Sequence, residues 1–442
     1  MTASTSAPSG MPSLPIETRS LGERSEAMIG ALASISAEPD RLTRLYLTPE
    51  HKRAAHLVGD WMRRAGMAVR MDAAGTMHGL FVADADGGSG ALGVRAARRR
   101  RRLLIGSHID TVIDAGRYDG NLGVVAGIIA VEEVQKRGIP LPFDLEVLAF
   151  GDEEGVRFPR TLFGSSTIAG VLEPAMLDLV DADSVKIGDA LLAFGGDPKA
   201  APHERYRRAD VAGYLEVHIE QGPVLEAAGE PLGVVSAIAS QGRYRIRVSG
   251  QAGHAGTVPM ALRKDALAAA AEIVSLVEAI ARKGAADSLV GTVGEFRVSP
   301  GASNVIPGSV ALSLDLRAAS DAARAAAAAE IKRGIGDVAA GRGLPISLDA
   351  VLEKPVAICA PQLRQAIGQA ISEVTGGTPR ELMSGAGHDG HAMIHLTDIG
   401  MIFVRCRGGV SHNPAEFVSV EDQGVAIEAL VRTIALLGGR QI

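Results

Sequence analysis

The sequence predicts an α/β protein of two domains, with both chain ends building one catalytic domain and a smaller α+β domain inserted in the middle. Three observations lead there. From Glu23 to about Phe150, helical periodicity across His51 to Arg64 alternates with short apolar runs at Leu103 to Ile105 and Leu145 to Phe150. Such alternation is the pattern of a sheet layered with helices. Past Gly233 the character changes. Tyr244, Ile246 and Val248 alternate with Arg243, Arg245 and Arg247 as in a half-exposed strand, and an Ala-rich helix follows from Asp265 to Ala281. Val310 to Leu316 alternates again and Asp321 to Lys332 is helical, so residues 236–350 read as a sheet with two helices. After Glu353 the first pattern resumes, which assigns 23–235 and 351–442 to one domain.

Composition narrows the function classes. The 442 residues are 47% hydrophobic and 22% charged, ordinary values for a soluble chain of this length. A formal charge of -6 argues against a nucleic-acid partner. The one basic run, Arg98 to Arg102, adjoins the Gly-rich stretch Gly87 to Gly90 and reads as a solvated loop. Two cysteines, Cys359 and Cys406, are too few for a disulfide scaffold and fit a reducing cytoplasm. Residues 1–22 read as a disordered tail, whose small polar start lacks the basic and apolar regions of a secretory signal. The apolar window Leu122 to Val131 is broken by Glu132 and Glu133, far short of the ~20 residues a membrane span needs.

Five segments carry candidate chemistry. Gly106-Ser-His-Ile-Asp-Thr-Val112 places His108 at a strand end, where open α/β sheets bind ligands, with Asp110 on the same side to orient its imidazole. Read alone, this is equally a polar strand end. Asp119, in the turn-rich stretch Gly116 to Asn121, is alone no more than an N-cap for the apolar helix that follows. Asp152, Glu153 and Glu154 crowd together directly after an apolar strand, which costs self-repulsion unless cations lie close. In Tyr214 to Gly222 the alternation puts Glu216, His218 and Glu220 on one face, a pattern that a solvated edge strand would also give. His412 follows the apolar run Met401 to Val404. Together the five offer nitrogen and oxygen donors without thiolate, a set suited to zinc, manganese or cobalt.

The strings GSHIDTV, YDGNLGV, DEEGVRF, HIEQGPVLE, AGHAGTVPM, NVIPG and GGVSHNPAE, in this order, closely resemble the hydantoinase/carbamoylase family of di-metal amidohydrolases. The resemblance runs from about residue 25 to the C-terminus. It implies a di-zinc aminopeptidase-like catalytic domain with a central mixed sheet and an inserted lid that also forms a homodimer contact. It implies two divalent metal ions, one held by His108 and His218, the other by Glu154 and His412, with Asp119 bridging and Glu153 as general base. By the same resemblance His254 assists the oxyanion in a neighbouring active site, and Gln221, Asn304, Arg317 and the backbone of Gly385, Ala386 and Gly387 contact a substrate carboxylate. The reaction so implied is cleavage of a carbamoyl or ureido C–N bond in a small carboxylate such as allantoate or an N-carbamoyl-L-amino acid.

Rivals fare worse. Gly385-Ala-Gly-His-Asp-Gly390 matches the dinucleotide pattern G-x-G-x-x-G, but no acidic residue answers it among Arg405 to Ser411, and a substrate loop fits better. A di-metal peptidase or an N-acyl amino acid deacylase would use the same scaffold, but the peptidase relatives generally place a carboxylate where His218 stands. A catalytically silent metal-binding homologue would have no use for Glu153 beside a ligand.

Overall fold

The computed structural model describes residues 16–83 and 100–439. The Gly-rich stretch, Arg98, Arg99 and the first fifteen residues of the expected tail lie outside them. Residues 16–22, expected in that tail, open a helix, Ile16–Ala33, and Leu21 is 2% exposed in the core. Among the described residues no helix is long and apolar enough to cross a membrane.

The described residues form two compact units, one of residues 16–83, 100–236, 359–382 and 388–439, the other of 237–358 and 383–387. In the first, four strands run parallel, in the order Asp144–Phe150, Arg102–His108, Val211–Ile219, Ile399–Val404. Antiparallel neighbours, Met77–Phe81 on one side and Leu232–Ile238 on the other, make the sheet mixed. The parallel strands are apolar because both faces are covered: Leu103, Leu104 and Ile105 are at most 1% exposed. Helices Ile16–Ala33, Asn121–Lys136, Pro361–Thr375 and Val420–Leu437 pack against one another. Asn121–Lys136 also packs on the strands Arg102–His108 and Val211–Ile219, which explains why it is apolar nearly all round.

The second unit is an antiparallel sheet, Phe296–Ser299, Ser309–Ala318, Ser240–Ser249 and Ile346–Lys354 in that order, with Val290–Thr292 also paired to Ser309–Ala318. Ala266–Lys283 and Asp321–Arg342 pack against it and bury Tyr244, Ile246 and Val248, while Arg243, Arg245 and Arg247 stay exposed. The unit runs past the expected end at 350 because Ile346–Lys354 pairs along Ser240–Ser249.

The reading of the basic run as a solvated loop fails at its end. Arg102 opens the strand Arg102–His108, and its guanidinium donates to Glu146 at 2.9 Å. Arg101 donates to the Val211 carbonyl at 3.0 Å. Glu146 belongs to a buried network that fastens three strands: His78 lies 3.0 Å from both Glu146 and Asp72, and Tyr206 donates to Glu146 at 2.7 Å. His78 is held above the usual histidine range because its two carboxylate partners outweigh the cost of burial. Removing it takes from the buried Asp72 and Glu146 carboxyls the side chain that links them. His78→Leu is therefore expected to lower unfolding free energy by about 3–5 kcal/mol in urea titrations of protein at fixed metal concentration; a loss below about 1 kcal/mol, the scale of exposed pairs, contradicts the network's role.

Candidate active site

Four parallel strands end at one edge, and each hands a candidate side chain to it. His108 is registered beside Phe150, and Val404 beside Ile219, so the loops that follow all start level with one another. The loop after His108 returns with Asp119, the one after Phe150 carries Asp152, Glu153 and Glu154, and the one after Val404 brings Ser411, His412 and Glu416. Chain direction thus gathers residues that lie some 300 positions apart.

Asp119 is at the centre. Its Oδ1 faces two imidazoles, 3.1 Å from His218 Nε2 and 3.6 Å from His108 Nε2. Its Oδ2 faces the other way, 3.2 Å from His412 Nε2, which in turn is 3.6 Å from Glu154 Oε2. Donor atoms of His108, Asp119 and His218 lie within 4.8 Å of one another, as do those of Asp119, Glu154 and His412. Glu153 joins His108 and Glu154 in a third such group and is partly exposed. Asp119 is not the N-cap that its place before the helix suggests. Gly120 stands there with φ 65, and no side chain caps the first turn. A Cβ at Gly120 would fall 2.5 Å from the His108 ring, so only glycine lets the loop pass beneath the imidazole.

Backbone carbonyls orient the two buried histidines. His108 Nδ1 donates to the carbonyl of Asp110 at 3.0 Å and His218 Nδ1 to that of Ile219 at 2.9 Å, which leaves both Nε2 atoms turned toward Asp119. The Asp110 carboxylate, expected to do this for His108, lies 3.7 Å away. It accepts instead from the backbone N–H of Glu153 and Glu154, each at 3.3 Å, and so shapes the acidic loop. The strand Val211–Ile219 is no solvated edge: it is central, and Glu216 is 1% exposed. Glu216 accepts from Ser107 and Tyr214 hydroxyls at 3.1 Å each and from Gly390 N–H at 3.3 Å. Burial pushes its carboxyl up to about 7. His388, read in the sequence only as part of a glycine loop, is buried edge-on against His218 with ring centres 4.3 Å apart. A His-Asp pair after three small residues was the available signal. After it the chain makes a single helical turn, Gly390–Met393.

The electrostatics fit a cation. Burial alone disfavours protonation of His108 and His218, yet the hydrogen bond to Asp119 and the surrounding carboxylates hold both above the usual histidine range. The hydrogen bond to Asp119 pushes His412 up to about 9. Asp119, despite burial, is held well below the carboxylate range by its three imidazoles, while burial and the charge of Asp119 drive Glu154 far above it. Three imidazoles and two carboxylates thus share protons that divalent ions would displace.

Gln221, with φ 56, donates to Asp119 Oδ2 at 2.9 Å and to Ser411 Oγ at 3.1 Å. The other expected substrate contacts lie in the second unit. His254 is exposed in a short strand registered with Val305, and the N–H of its neighbour Ala255 donates to the Asn304 carbonyl at 3.0 Å. Arg317 donates to Asp315 at 2.8 Å and to the Gly385 carbonyl, which draws Gly385, and with it the Ala386–Gly387 segment, to the same place.

The profile of the peptidase family M20/M25/M40 matches residues 104–436. The chain is 41% identical to the allantoate deiminase of Arabidopsis thaliana, over 92% of this chain and 80% of that one. It is 38% identical to the N-carbamoyl-L-amino acid amidohydrolase of Geobacillus stearothermophilus, over 93% and 98%. The solved structure of a hydantoinase/carbamoylase family amidase from Burkholderia ambifaria superposes with TM-score 0.83 at 32% identity, over 95% and 98% of the two chains.

Because protons occupy the donor atoms, metal affinity is expected to rise with pH until His412 deprotonates near 9, with proton release on binding at pH 7.5. Calorimetry of metal binding in two buffers of different ionisation enthalpy measures that release; equal heats in both would contradict it.

Proposed function

The chain belongs to the peptidase family M20/M25/M40, and from that premise we propose that it is a metal-dependent amidohydrolase acting on the ureido group of allantoate. The observation that carries the reading is the division of the Asp119 carboxylate, one oxygen toward His108 and His218 and the other toward His412 and Glu154. The reading assigns two divalent ions, zinc, manganese or cobalt, to these two donor sets. When bound they supply a water of lowered pKa and positive charge for the developing oxyanion. The chain's own residues do the rest. Glu153, beside the donors yet open to solvent, takes the proton from the attacking water and returns it to the departing nitrogen. The bond broken is ureido C–N, and loss of the carbamoyl group yields ammonia and carbon dioxide. Arg317, its fork steadied by Asp315, grips the substrate carboxylate, with Gln221, Asn304 and the backbone from Gly385 to Gly387 as further polar contacts. His254 serves the oxyanion, from the partner subunit of a homodimer. Both cysteines are free and buried, in keeping with a cytoplasmic enzyme.

A second substrate class, N-carbamoyl-L-amino acids, is favoured by the similarity to the Geobacillus enzyme and needs the same site chemistry. Ammonia release from allantoate, N-carbamoyl-L-amino acids, 3-ureidopropionate and N-acetyl amino acids by metal-loaded protein separates the readings. Turnover of allantoate with the highest kcat/KM is expected, and cleavage of the N-acetyl compounds alone would replace the proposal with a deacylase. Glu153→Gln should keep its metal content and lose about 10²- to 10⁴-fold in kcat. Undiminished turnover in that variant would remove Glu153 from its role.

A further inference from the structure

We infer that Glu416 is the positioning residue that sets the Asp119 carboxylate between its two donor sets and so makes them one unit; this rests on the di-cation reading above. Glu416 is 4% exposed and takes no part in either donor group. Its Oε1 accepts two consecutive backbone N–H groups, from Tyr118 at 2.8 Å and Asp119 at 3.1 Å. Its Oε2 accepts from Ser411 Oγ at 2.9 Å, and that hydroxyl lies equally 2.9 Å from Asp119 Oδ2. Glu416 therefore holds Asp119 directly at the backbone, and beside its carboxylate it shares the single proton of the Ser411 hydroxyl, which bonds one of the two carboxyls at a time.

The loop lies hard against it. A Cβ at Gly116 would stand 2.2 Å from the Glu416 carboxyl carbon, so glycine is what lets the backbone reach the two-pronged contact. At the other end of the loop Gly120 rests against His108. Glu416 also sits four residues after His412, in the same loop. Moving it shifts the carboxylate that both donor sets share, whereas losing His108 alone removes a donor from only one.

The geometry separates position from charge. Both N–H groups converge on one oxygen, so a glutamine keeps them on its amide oxygen and can donate to Ser411 from its nitrogen. An aspartate keeps the charge but withdraws the acceptor by one methylene. The test titrates metal-free full-length chain with Mn²⁺ or Zn²⁺ in a calorimeter, with thermal unfolding of each metal-free variant as the control for folding. Glu416→Asp is expected to bind about 10- to 100-fold more weakly at both positions, while Glu416→Gln stays within about threefold of the parent. His108→Ala should weaken one position only. The inference is overturned if Glu416→Asp binds both ions as the parent does, if its loss is confined to one position, or if Glu416→Gln is the weaker variant. A parent chain that takes up no metal overturns the di-cation reading itself, a different result from any of these.

Discussion

A carboxylate can link two donor sets through both of its oxygens when each oxygen points into a separate set. Asp119 meets that condition through backbone geometry. Gly120 passes under His108 with a positive φ, and carbonyls of Asp110 and Ile219 turn the buried imidazoles toward Oδ1. Four parallel strands ending at one edge bring the remaining donors to Oδ2. A shift in any of these would rotate the carboxylate and leave one set without its shared ligand.

The surroundings make such a site costly. Asp152 and Asp389 are both fully buried, and burial together with neighbouring carboxylates drives each far above its ordinary range. Carboxyls buried this close together stay protonated unless positive charge arrives to balance their ionised form. The imidazoles supply it as protons, and the same donors would accept it as metal ions. The extensive apolar core beneath, with Leu103, Ile105, Leu145 and Val147 almost fully enclosed, offers the rigidity that holds the acidic loops in place.

What the sequence disclosed depended on how local each signal was. Strands and helices with clean periodicity, such as Ser309–Ala318, were legible because one face is buried and the other is not. The convergence of His108, His218, Glu154 and His412 was legible from ordered motifs at strand ends. The finer roles were not. Read alone, Asp119 passed for a helix cap, because two of its partners are about 100 and 300 residues away, and only the family resemblance gave it the bridging place. Asp110 stood at the right spacing for His108, yet its carbonyl rather than its carboxylate makes the contact, a choice between two acceptors of one residue that no sequence pattern records. Glu416 lay in plain view within GGVSHNPAE, but its contacts are to backbone N–H groups 297 and 298 positions distant. Arg102 was hidden in a charge run because its partner, Glu146, is an acid inside an apolar strand. The opening helix Ile16–Ala33 was missed since its polar residues dilute the few apolar ones that pack.

Diffraction from crystals grown with manganese or zinc, with anomalous differences measured at the metal edge, addresses the central claim most directly. Two peaks about 3.5–4 Å apart are predicted, one against His108 and His218, the other against Glu154 and His412, with Asp119 between them. A single peak, or peaks away from Asp119, would contradict the account.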